Sequence, residues 1–429
     1  MEKFDAIVIG AGPAGSTTAY LLAQGGLNVL MVERGQNPGT KTVSGGLVYS
    51  KLVAQIFPNF LEGAPVERAI TGHQLVMLDD KASVALDFRD QMAGQQPYNV
   101  FSVLRARFDP WLAKQAEQAG ASLVNGVTVD SLLVENGRVI GIQAGADQIG
   151  ADLVVIAEGT RSLLLKQAGL REDFQPHDVS LGLKEVVALP ERTIEERFQC
   201  APGTGTAYTL VGHTCGIEGG GFLYTNKASL SVGIVVKIDS LYRNKMQPHQ
   251  VLDRFKSHPL INRLLEDGEV VEYSAQTVHR GGFHLMSRLY GDGYVVVGSA
   301  ARLLLNNIMT LRGMDFAILS AEAAARAILE ARKGGGYSEA ELSVYAANLR
   351  KTSIYEDWRT FRETYGLMEN KRLFDEYPEL ACRIMEKLFA PGTQASPKLL
   401  SAMWQEMRGH LSMLDLTEDA YHVLRGLIL

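Results

Sequence analysis

The residues with the clearest chemical potential form a glycine-rich run near the N-terminus, Gly10-Ala11-Gly12-Pro13-Ala14-Gly15. This run follows an apolar stretch, Phe4 to Ile9, that is typical of a buried strand, and it opens a segment typical of a helix. In a GxGxxG run placed this way, the first glycine permits a tight turn and the second lets the backbone approach a pyrophosphate. The third lets the helix pack closely on the strand. The run therefore predicts a dinucleotide site.

A carboxylate at the end of the next strand supports the same prediction. Asn28 to Val32 reads as a second strand, and Glu33 ends it. A carboxylate there can accept hydrogen bonds from a ribose and would repel a 2′-phosphate. The helix that Ala14 opens would present free N–H groups and a partial positive charge to the phosphates. The motif alone does not separate FAD from NAD.

Composition excludes several other kinds of site and partner. The three cysteines, Cys200, Cys215 and Cys382, are too few for a four-cysteine iron–sulfur cluster and too sparse for a disulfide framework, so we expect a cytoplasmic protein. A net charge of −6 gives no basic footprint for nucleic acid. The histidines show no metal-ligand spacing, and no metal site is predicted. We expect no signal peptide and no membrane-spanning segment.

The order of the predicted elements indicates more than one structural unit. The chain has 429 residues, and a single core usually stops growing at about 250–300. Asn136-Gly137 is suited to a type I′ hairpin turn. From about 179 to 274 the pattern changes to strands broken by glycines, interrupted by a helical stretch, Pro248–Lys256. A strand at Tyr294–Val297 and a long helix near Gly313–Arg332 then return to the first pattern, and the remainder reads as helical.

Further motifs extend the prediction from a fold to a family. These motifs are Lys41-Thr42-Val43-Ser44-Gly45-Gly46, Ser102-Val103-Leu104-Arg105, Phe108-Asp109-Pro110-Trp111-Leu112, residues 219–226, Glu272-Tyr273-Ser274-Ala275, Arg312-Gly313-Met314-Asp315 and Tyr377-Pro378-Glu379. In them the sequence resembles FixC-type flavoproteins, relatives of electron-transfer-flavoprotein:quinone oxidoreductase (ETF-QO) and geranylgeranyl reductase, and the similarity runs in order along nearly the whole chain.

The resemblance implies a fold and its division into domains. It implies a glutathione-reductase-like, Rossmann-type α/β fold for FAD, with an inserted antiparallel β-sheet domain and a C-terminal helical region. On that basis we expect the FAD-binding domain to comprise residues 1–75, 99–175 and 286–335. The sheet-rich domain would comprise 76–98 and 176–285, and the helical region 336–429.

The resemblance also implies which residues bind FAD, and it predicts no catalytic side chain because the flavin performs the redox chemistry. The ADP half would be held by the glycine-rich loop, including Pro13 and Ala14, with Glu33 and Arg34. Arg312, Gly313 and Met314 would approach the flavin ring, with backbone N–H groups that stabilise its anionic reduced form. The remaining predicted contacts are Lys41, Ser44, Gly45, Gly46, Arg105, Glu158, Gly159, Gly298 and Ser299.

Two motifs depart from the family pattern. The family carries Gly-Asp-Ala-Ala-Gly near position 300, and its aspartate binds the ribityl chain, whereas this sequence has Gly298-Ser299-Ala300-Ala301-Arg302. Serine is shorter and uncharged, and Arg302 brings a bulky cation to a place where glycine lets the backbone approach a phosphate. Glu158-Gly159 replaces the usual Asp-Gly, which is a milder change.

Three functional hypotheses follow from the resemblance and its departures. The first is an FAD-dependent oxidoreductase that takes electrons from an electron-transfer flavoprotein and passes them to a quinone or a separate ferredoxin-like protein, with peripheral contact at the inner face of the membrane. The second is a geranylgeranyl-reductase-like reductase or a hydroxylase of an apolar small molecule. The third is a homologue whose FAD binding is weakened through Ser299 and Arg302.

Overall fold

The computed structural model describes residues 3–40, 46–90, 98–389, 395 and 397–428. In chain order, the strands are β1 Lys3–Ile9, β2 Val29–Glu33, β3 Gly46–Tyr49, β4 Val66–Leu78, β5 Ser83–Arg89, β6 Val100–Val103, β7 Ser122–Asn125, β8 Ser131–Glu135, β9 Arg138–Ala144, β10 Asp147–Ile156, β11 Val179–Ala188, β12 Thr204–Gly212, β13 Gly219–Thr225, β14 Ser229–Lys237, β15 Glu269–His279, β16 Tyr290–Gly291, β17 Tyr294–Val296, β18 Leu305–Asn306 and β19 Leu311–Arg312.

The helices alternate with these strands in the first half of the chain and dominate its end. They are α1 Pro13–Gln24, α2 Ser50–Val53, α3 Phe60–Gly63, α4 Arg105–Gln118, α5 Leu163–Gln167, α6 Glu191–Phe198, α7 Ile238–Arg243, α8 Pro248–Lys256, α9 Pro259–Leu265, α10 Met314–Gly334, α11 Glu339–Leu342, α12 Val344–Arg350, α13 Ser353–Thr360, α14 Thr364–Leu367, α15 Glu376–Phe389, α16 Leu399–His410 and α17 Met413–Val423.

The first sheet contains the predicted βαβ unit. Strands β17, β10, β1, β2 and β7 lie side by side in that order and pair in parallel. The hairpin β8–β9 extends the sheet by antiparallel pairing with the first part of β10, and Asn136 and Gly137 form its predicted turn with φ angles of 50° and 81°. Helix α1 packs against α4 and α10. The Rossmann-type prediction is confirmed, and the carboxyl ends of β1, β2 and β10 carry the loops that bind ligands in such sheets.

The second sheet is mixed, which corrects the prediction of an antiparallel one. Its strand order is β15-β11-β14-β13-β12-β4-β6-β3, and β5 pairs with the outer part of β4. Strand β4 pairs in parallel with β12, whereas the other pairings in this sheet are antiparallel. The parallel pair is possible because a long crossover connects the end of β4 at Leu78 to the start of β12 at Thr204.

The sequence divides between the sheets differently from the predicted boundaries. Strands β3 and β6, and all of β4, belong to the second sheet, and the predicted boundary between residues 75 and 76 falls inside β4. Both sheets contain buried apolar strands, so the hydrophobic pattern of a strand does not indicate which sheet it joins. The division into domains stays a prediction.

The two faces of the second sheet have different roles. One face packs on α6, α8 and α9, where Leu223 and Ile234 meet Phe198 and Phe255 in one core. Helix α8 approaches so closely that a Cβ on Gly221 would lie 2.1 Å from the Phe255 ring. The other face is turned toward the first sheet, and the space between them forms the cavity described below.

The C-terminal region is helical, as predicted, from α11 to α17. A small core of Leu380, Ile384, Ala402 and Leu411 holds α15 and α16 together. Within the described ranges, no helix is long and apolar enough to cross a bilayer.

Lys184 on β11 is a buried cation in the second sheet. Its side chain is fully buried, and its Nζ lies 3.9 Å from Oε1 of Glu272. Among the described residues Nζ has no hydrogen-bond partner. Burial lowers the pKa of Lys184 to about 8, an effect that Glu272 opposes and Arg105 increases. Below pH 8 the fold therefore holds a charged ammonium away from water, which is unfavourable.

We expect Lys184→Met to raise the free energy of unfolding at pH 7 by about 3 kcal/mol. Between about pH 8 and the ordinary pKa of 10.5, the unfolded chain binds more protons than the folded one. The free energy of unfolding of wild type therefore rises with pH in this range, and the advantage of the variant disappears near pH 10.5. Urea unfolding of both proteins at pH 7 and 10 measures this difference.

Lys256→Met is the control and should lose stability at pH 7, because Lys256 Nζ is 2.8 Å from Oε2 of Glu185. A Lys184→Met protein less stable than wild type at pH 7 would contradict the assignment.

Candidate functional site

A cavity of about 600 Å³ lies between the two sheets. One wall consists of the loops that follow β1, β2 and β10, together with the start of α10. The opposite wall is the free face of the second sheet, from β11 to β15, and Met368 and Phe374 of the C-terminal region also line it. Of the predicted cofactor residues, Gly10, Gly12, Pro13, Ala14, Glu33, Arg34, Gly46, Arg105, Glu158, Gly159, Ser299, Gly313 and Met314 line this one cavity.

The glycine-rich loop has the geometry that the motif predicts. Gly10 has a φ of 99°, in the left-handed region. A Cβ on Gly15 would lie 1.8 Å from the Gly10 carbonyl oxygen, so only glycine lets α1 approach β1 this closely. Gly12 caps α1 without a side-chain hydrogen bond, and Pro13 follows as the first helical residue. The first turn of α1 therefore faces the cavity without a capping side chain, ready for an anionic group.

Glu33 is held at the end of β2 by two backbone donors. The N–H of Ala11 donates to Oε2 at 2.9 Å, and the N–H of Gly35 donates to Oε1 at 2.7 Å. Each carboxylate oxygen keeps a second lone pair, so Glu33 can still accept hydrogen bonds from a ribose at the cavity wall. These two bonds fix the carboxylate beside the glycine-rich loop.

Arg105 reaches the same loop from α4. A Cβ on Gly12 would lie 3.6 Å from Nη2 of Arg105. The guanidinium donates to Asp109, with Nε 3.0 Å from Oδ1 and Nη2 2.5 Å from Oδ2. Asp109 is fully buried, and this desolvation raises its pKa, although the charge of Arg105 opposes the rise. The sequence motif contained Asp109, but only the structure shows that it orients Arg105.

The turn after β10 carries Glu158 and Gly159. Ser162 Oγ donates to Oε2 of Glu158 at 3.2 Å. Burial raises the pKa of Glu158, and hydrogen bonds from Leu164 and Ser162 and the charges of Arg171 and Arg34 oppose the rise. Gly159 adopts a φ of 76°, which favours glycine. The longer glutamate, in place of the family's aspartate, still lines the cavity.

The turn at 298–302 explains what the departures from the family pattern do. Gly298 has a φ of 62°, and a Cβ there would lie 2.9 Å from the Cβ of Ala14. Ser299 lines the cavity. Arg302 is directed away: its Nη2 donates to the Glu172 carbonyl at 3.1 Å, and its Cζ lies 4.2 Å from the centre of the Phe174 ring. The guanidinium of Arg302, which stands where the family has glycine, therefore packs on Phe174 outside the lining of the cavity.

Around the start of α10 the predicted residues separate. Gly313 and Met314 line the cavity, and Gly46 lies against Met314, whose Cε would be 3.0 Å from a Cβ on that glycine. Arg312 does not line it, because its guanidinium bonds Asp315 and Asp357 and its Cζ lies 4.8 Å from the Tyr49 ring centre. Lys41, Ser44 and Gly45 lie outside the described residues.

The opposite wall carries an ion-pair network that no sequence motif predicts. Lys237 Nζ lies 2.6 Å from Oε2 of Glu218 and 3.0 Å from Oε2 of Glu369, and Arg280 Nη1 bonds the other oxygen of Glu369. Lys237 and Arg280 are both buried at the cavity wall. Burial would raise the pKa of Glu369, but these two cations hold it below its ordinary value. The partners come from distant parts of the chain, so no local pattern indicates the network.

The residues on the cofactor wall fit the pyrophosphate of FAD. The uncapped start of α1, the close approach at Gly12 and the guanidinium of Arg105 all meet at one point. Glu33 stands at the end of the neighbouring strand β2, a position suited to binding the ribose. Bound FAD supplies one- and two-electron chemistry, while these side chains bind and orient it.

Comparison with known proteins gives the same cofactor. Residues 3–201 match the model of an FAD binding domain, residues 179–278 match the ubiquinone-binding domain of ETF-QO, and residues 365–428 match the C-terminal domain of the ETF-QO/FixC family. The chain is 40% identical over 389 residues to the probable electron transfer flavoprotein-quinone oxidoreductase YdiS of Escherichia coli, covering 90% of this chain and 91% of that protein. It is 37% identical over 392 residues to protein FixC of Azorhizobium caulinodans, covering 90% of each.

Solved structures share the fold at lower identity. A geranylgeranyl bacteriochlorophyll reductase-like protein from Thermoplasma acidophilum superposes with a TM-score of 0.73 at 20% identity, covering 99% of both chains. The myxobacterial FAD-dependent halogenase CndH gives a TM-score of 0.66 at 20% identity, over 97% of this chain and 99% of that chain. The family models, the relatives and the cofactor wall agree: this chain belongs to the ETF-QO/FixC family and is an FAD-dependent oxidoreductase of electron transfer.

Proposed function

We propose that this protein accepts electrons from a reduced electron-transfer flavoprotein through its FAD and passes them to a quinone. One observation carries the proposal. The cavity that the cofactor residues line continues, without an intervening wall, to the strands that match the ubiquinone-binding domain. An electron acceptor in its far half would therefore lie beside the cofactor.

The far half of the cavity has surfaces suited to a quinone. Phe222 lines it, with its ring over β14, where a Cβ on Gly233 would lie 2.6 Å from the Phe222 Cζ. Val235, Val278 and Leu304 add apolar surface. Apolar walls with a few polar groups are typical of small-molecule sites. We propose that the quinone ring packs against Phe222.

We keep a separate ferredoxin-like protein as the alternative acceptor. Cys382 is buried, Cys215 is exposed and Cys200 is half-buried. Across the ranges that the structure describes, no group of three or more His, Cys, Asp or Glu side chains could hold a metal ion. An iron–sulfur centre in this pathway would therefore belong to a partner protein rather than to this site.

The two remaining hypotheses have less support. A reductase or hydroxylase of an apolar small molecule would use the same cavity, but the geranylgeranyl-reductase-like neighbour, at 20% identity, is evidence for the fold alone. Weakened FAD binding would act through Ser299, which lines the cavity, and through the cation of Arg302. Since that guanidinium packs on Phe174, it adds no bulk to the cofactor wall.

The electron-transfer proposal is tested with the FAD-loaded protein, the electron-transfer flavoprotein of the same source and a short-chain ubiquinone. We expect the reduced flavoprotein to reduce the bound FAD and the quinone to reoxidise it. In Phe222→Ala, KM for the quinone should rise about tenfold, from the loss of roughly 1.5 kcal/mol of aromatic contact. FAD reduction by the flavoprotein should keep its wild-type rate.

Tyr242→Ala is the control, because Tyr242 is exposed on α7 of the same sheet domain. It should leave KM unchanged. No FAD reduction by the flavoprotein would refute the donor. Reoxidation by a ferredoxin but not by quinone would transfer the assignment to the alternative acceptor.

We also propose that the protein is cytoplasmic and binds peripherally to the inner face of the membrane through the mouth of the cavity. On β5, Leu86 is 69% exposed and Phe88 is 60% exposed. Leu86 stands opposite Leu75 of β4, and Leu75 stands opposite Thr209 of β12, which lines the cavity. Met309, 55% exposed, also lines it, and its carbonyl accepts a hydrogen bond from Thr209 Oγ1 at 2.8 Å.

This apolar strip leads from the surface into the cavity. Exposed apolar patches next to a ligand site often mark contact with a membrane or a protein. A quinone with an isoprenoid tail would reach the cavity through such a contact without crossing water, which is why we favour a lipid surface.

The double variant Leu86→Glu/Phe88→Glu should therefore lose binding to vesicles of phosphatidylethanolamine and phosphatidylglycerol. Two carboxylates at the lipid boundary oppose insertion of the strip. Flotation of protein with vesicles on a density gradient measures the bound fraction. Val271→Glu/Tyr273→Glu is the matched control, with two exposed apolar residues on β15. Equal flotation of both double variants would exclude β5 as the membrane contact.

A further inference from the structure

His279, at the end of β15, is a buried histidine whose hydrogen bonding is only half complete. Its side chain is fully buried, and its Nδ1 accepts a hydrogen bond from the backbone N–H of Gly281 at 3.3 Å. Because the Nδ1 lone pair is used, the proton of the neutral ring must be on Nε2. Within the described part of the chain, Nε2 has no hydrogen-bond partner.

The ring is neutral at physiological pH. Burial, together with the nearby charges of Arg302 and Arg171, lowers the pKa of His279 to about 3. Nε2–H is therefore a neutral donor, and it has no use as an acid or a base near pH 7. A buried N–H without a partner is unfavourable, so an acceptor atom that reached Nε2 would stabilise this ring.

A second histidine in the same chain shows what a completed arrangement looks like. His258 is also buried, and its Nδ1 accepts from the backbone N–H two residues later, that of Leu260, at 3.2 Å. Its Nε2, however, lies 3.2 Å from the carbonyl oxygen of Ala82. The two rings share one local motif, and they differ in that His258 has a protein acceptor and lies outside the lining of the cavity.

His279 lines the cavity close to the contact between β15 and the loop that follows Glu158. Arg161, three residues beyond Glu158, donates from Nε to Oγ1 of Thr277 at 3.3 Å. Arg171 donates from Nη1 to the carbonyl of Ala300 at 3.1 Å, which connects the same region to the turn that carries Ser299. The position of His279 is thus on the cofactor side of the second sheet.

The ring of His279 is also oriented by its neighbours. It stacks on Phe174, with ring centres 6.3 Å apart and planes within 10°. Phe174 in turn lies under two guanidinium groups, with Cζ of Arg302 at 4.2 Å and Cζ of Arg171 at 5.1 Å from its centre. Stacking of cations and rings of this kind is stabilising when it is partly buried.

We propose that His279 binds FAD by donating its Nε2–H to an acceptor oxygen of the cofactor, and that Arg302 and Phe174 position the ring for this bond. Arg302, which stands where the family has glycine, is then part of cofactor binding without lining the cavity. The inference rests on FAD binding alone and does not require the electron donor or acceptor proposed above.

Two substitutions separate the two nitrogens. His279→Asn keeps an acceptor oxygen near the position of Nδ1, so the Gly281 contact survives while the Nε2–H is lost. His279→Gln places an amide N–H near the position of Nε2 and loses the Gly281 contact. Titration of each apoprotein with FAD, followed by flavin fluorescence, should give a Kd about tenfold above wild type for His279→Asn, as expected for one lost hydrogen bond. For His279→Gln it should stay within about threefold.

His258→Asn is the matched control and should bind FAD with the wild-type Kd, although it loses the Ala82 bond. Wild-type affinity in His279→Asn would overturn the proposal, and so would equal weakening in both His279 variants, which would assign the effect to packing. If His279→Asn does not fold, histidine-labelled wild type decides the question by NMR. An Nε2–H resonance of His279 that shifts on adding FAD supports the bond, and an unchanged resonance refutes it.

Discussion

The cofactor wall depends on how closely α1 approaches β1. The glycine at position 15 lets the helix meet the Gly10 carbonyl at a distance that no side chain would permit. That contact brings the uncapped start of α1 into the cavity, where Arg105 reaches it from α4. Glu33 is fixed by an N–H of the same loop. The positions of the helix start, the arginine and the carboxylate thus all depend on the contact between α1 and β1. The binding of an extended dinucleotide requires all three to keep their spacing.

The second wall is held in a different way. Buried cations at Lys237 and Arg280 share the carboxylate of Glu369, which comes from the C-terminal region. Such pairs are unfavourable to bury unless their hydrogen bonds are completed, and here Glu218 and the Met368 carbonyl complete them. The network connects the sheet, the strand end after β15 and the C-terminal helices at the cavity. The C-terminal family domain is therefore part of the wall of the site.

Much of the first sheet and its helix α1 could be predicted from the sequence because the signals for these elements are local. The strand, the glycine run and the helix follow one another within twenty-five residues, and Asn136-Gly137 specifies its own turn. The second sheet was predicted less well, because nothing in the pattern of β4 indicates a parallel partner in β12. Arg302 shows the same limit in the site. Its type suggested a bulky cation against the cofactor phosphates, but the position of Phe174 decided the direction of its side chain.

The parallel pair β4–β12 has a consequence for how the molecule is made. About 135 residues separate Ala69 from its partner Thr204, so β4 leaves the ribosome well before β12. During synthesis β5 and β6 can pair with one edge of β4, but the edge that meets β12 stays open, and Val76 and Leu78 lack the later residues of their core. A nascent chain in that state exposes a strand edge that invites aggregation. Expression at low temperature or with chaperones, rather than truncation at the predicted domain boundary, is the physical route to a folded protein.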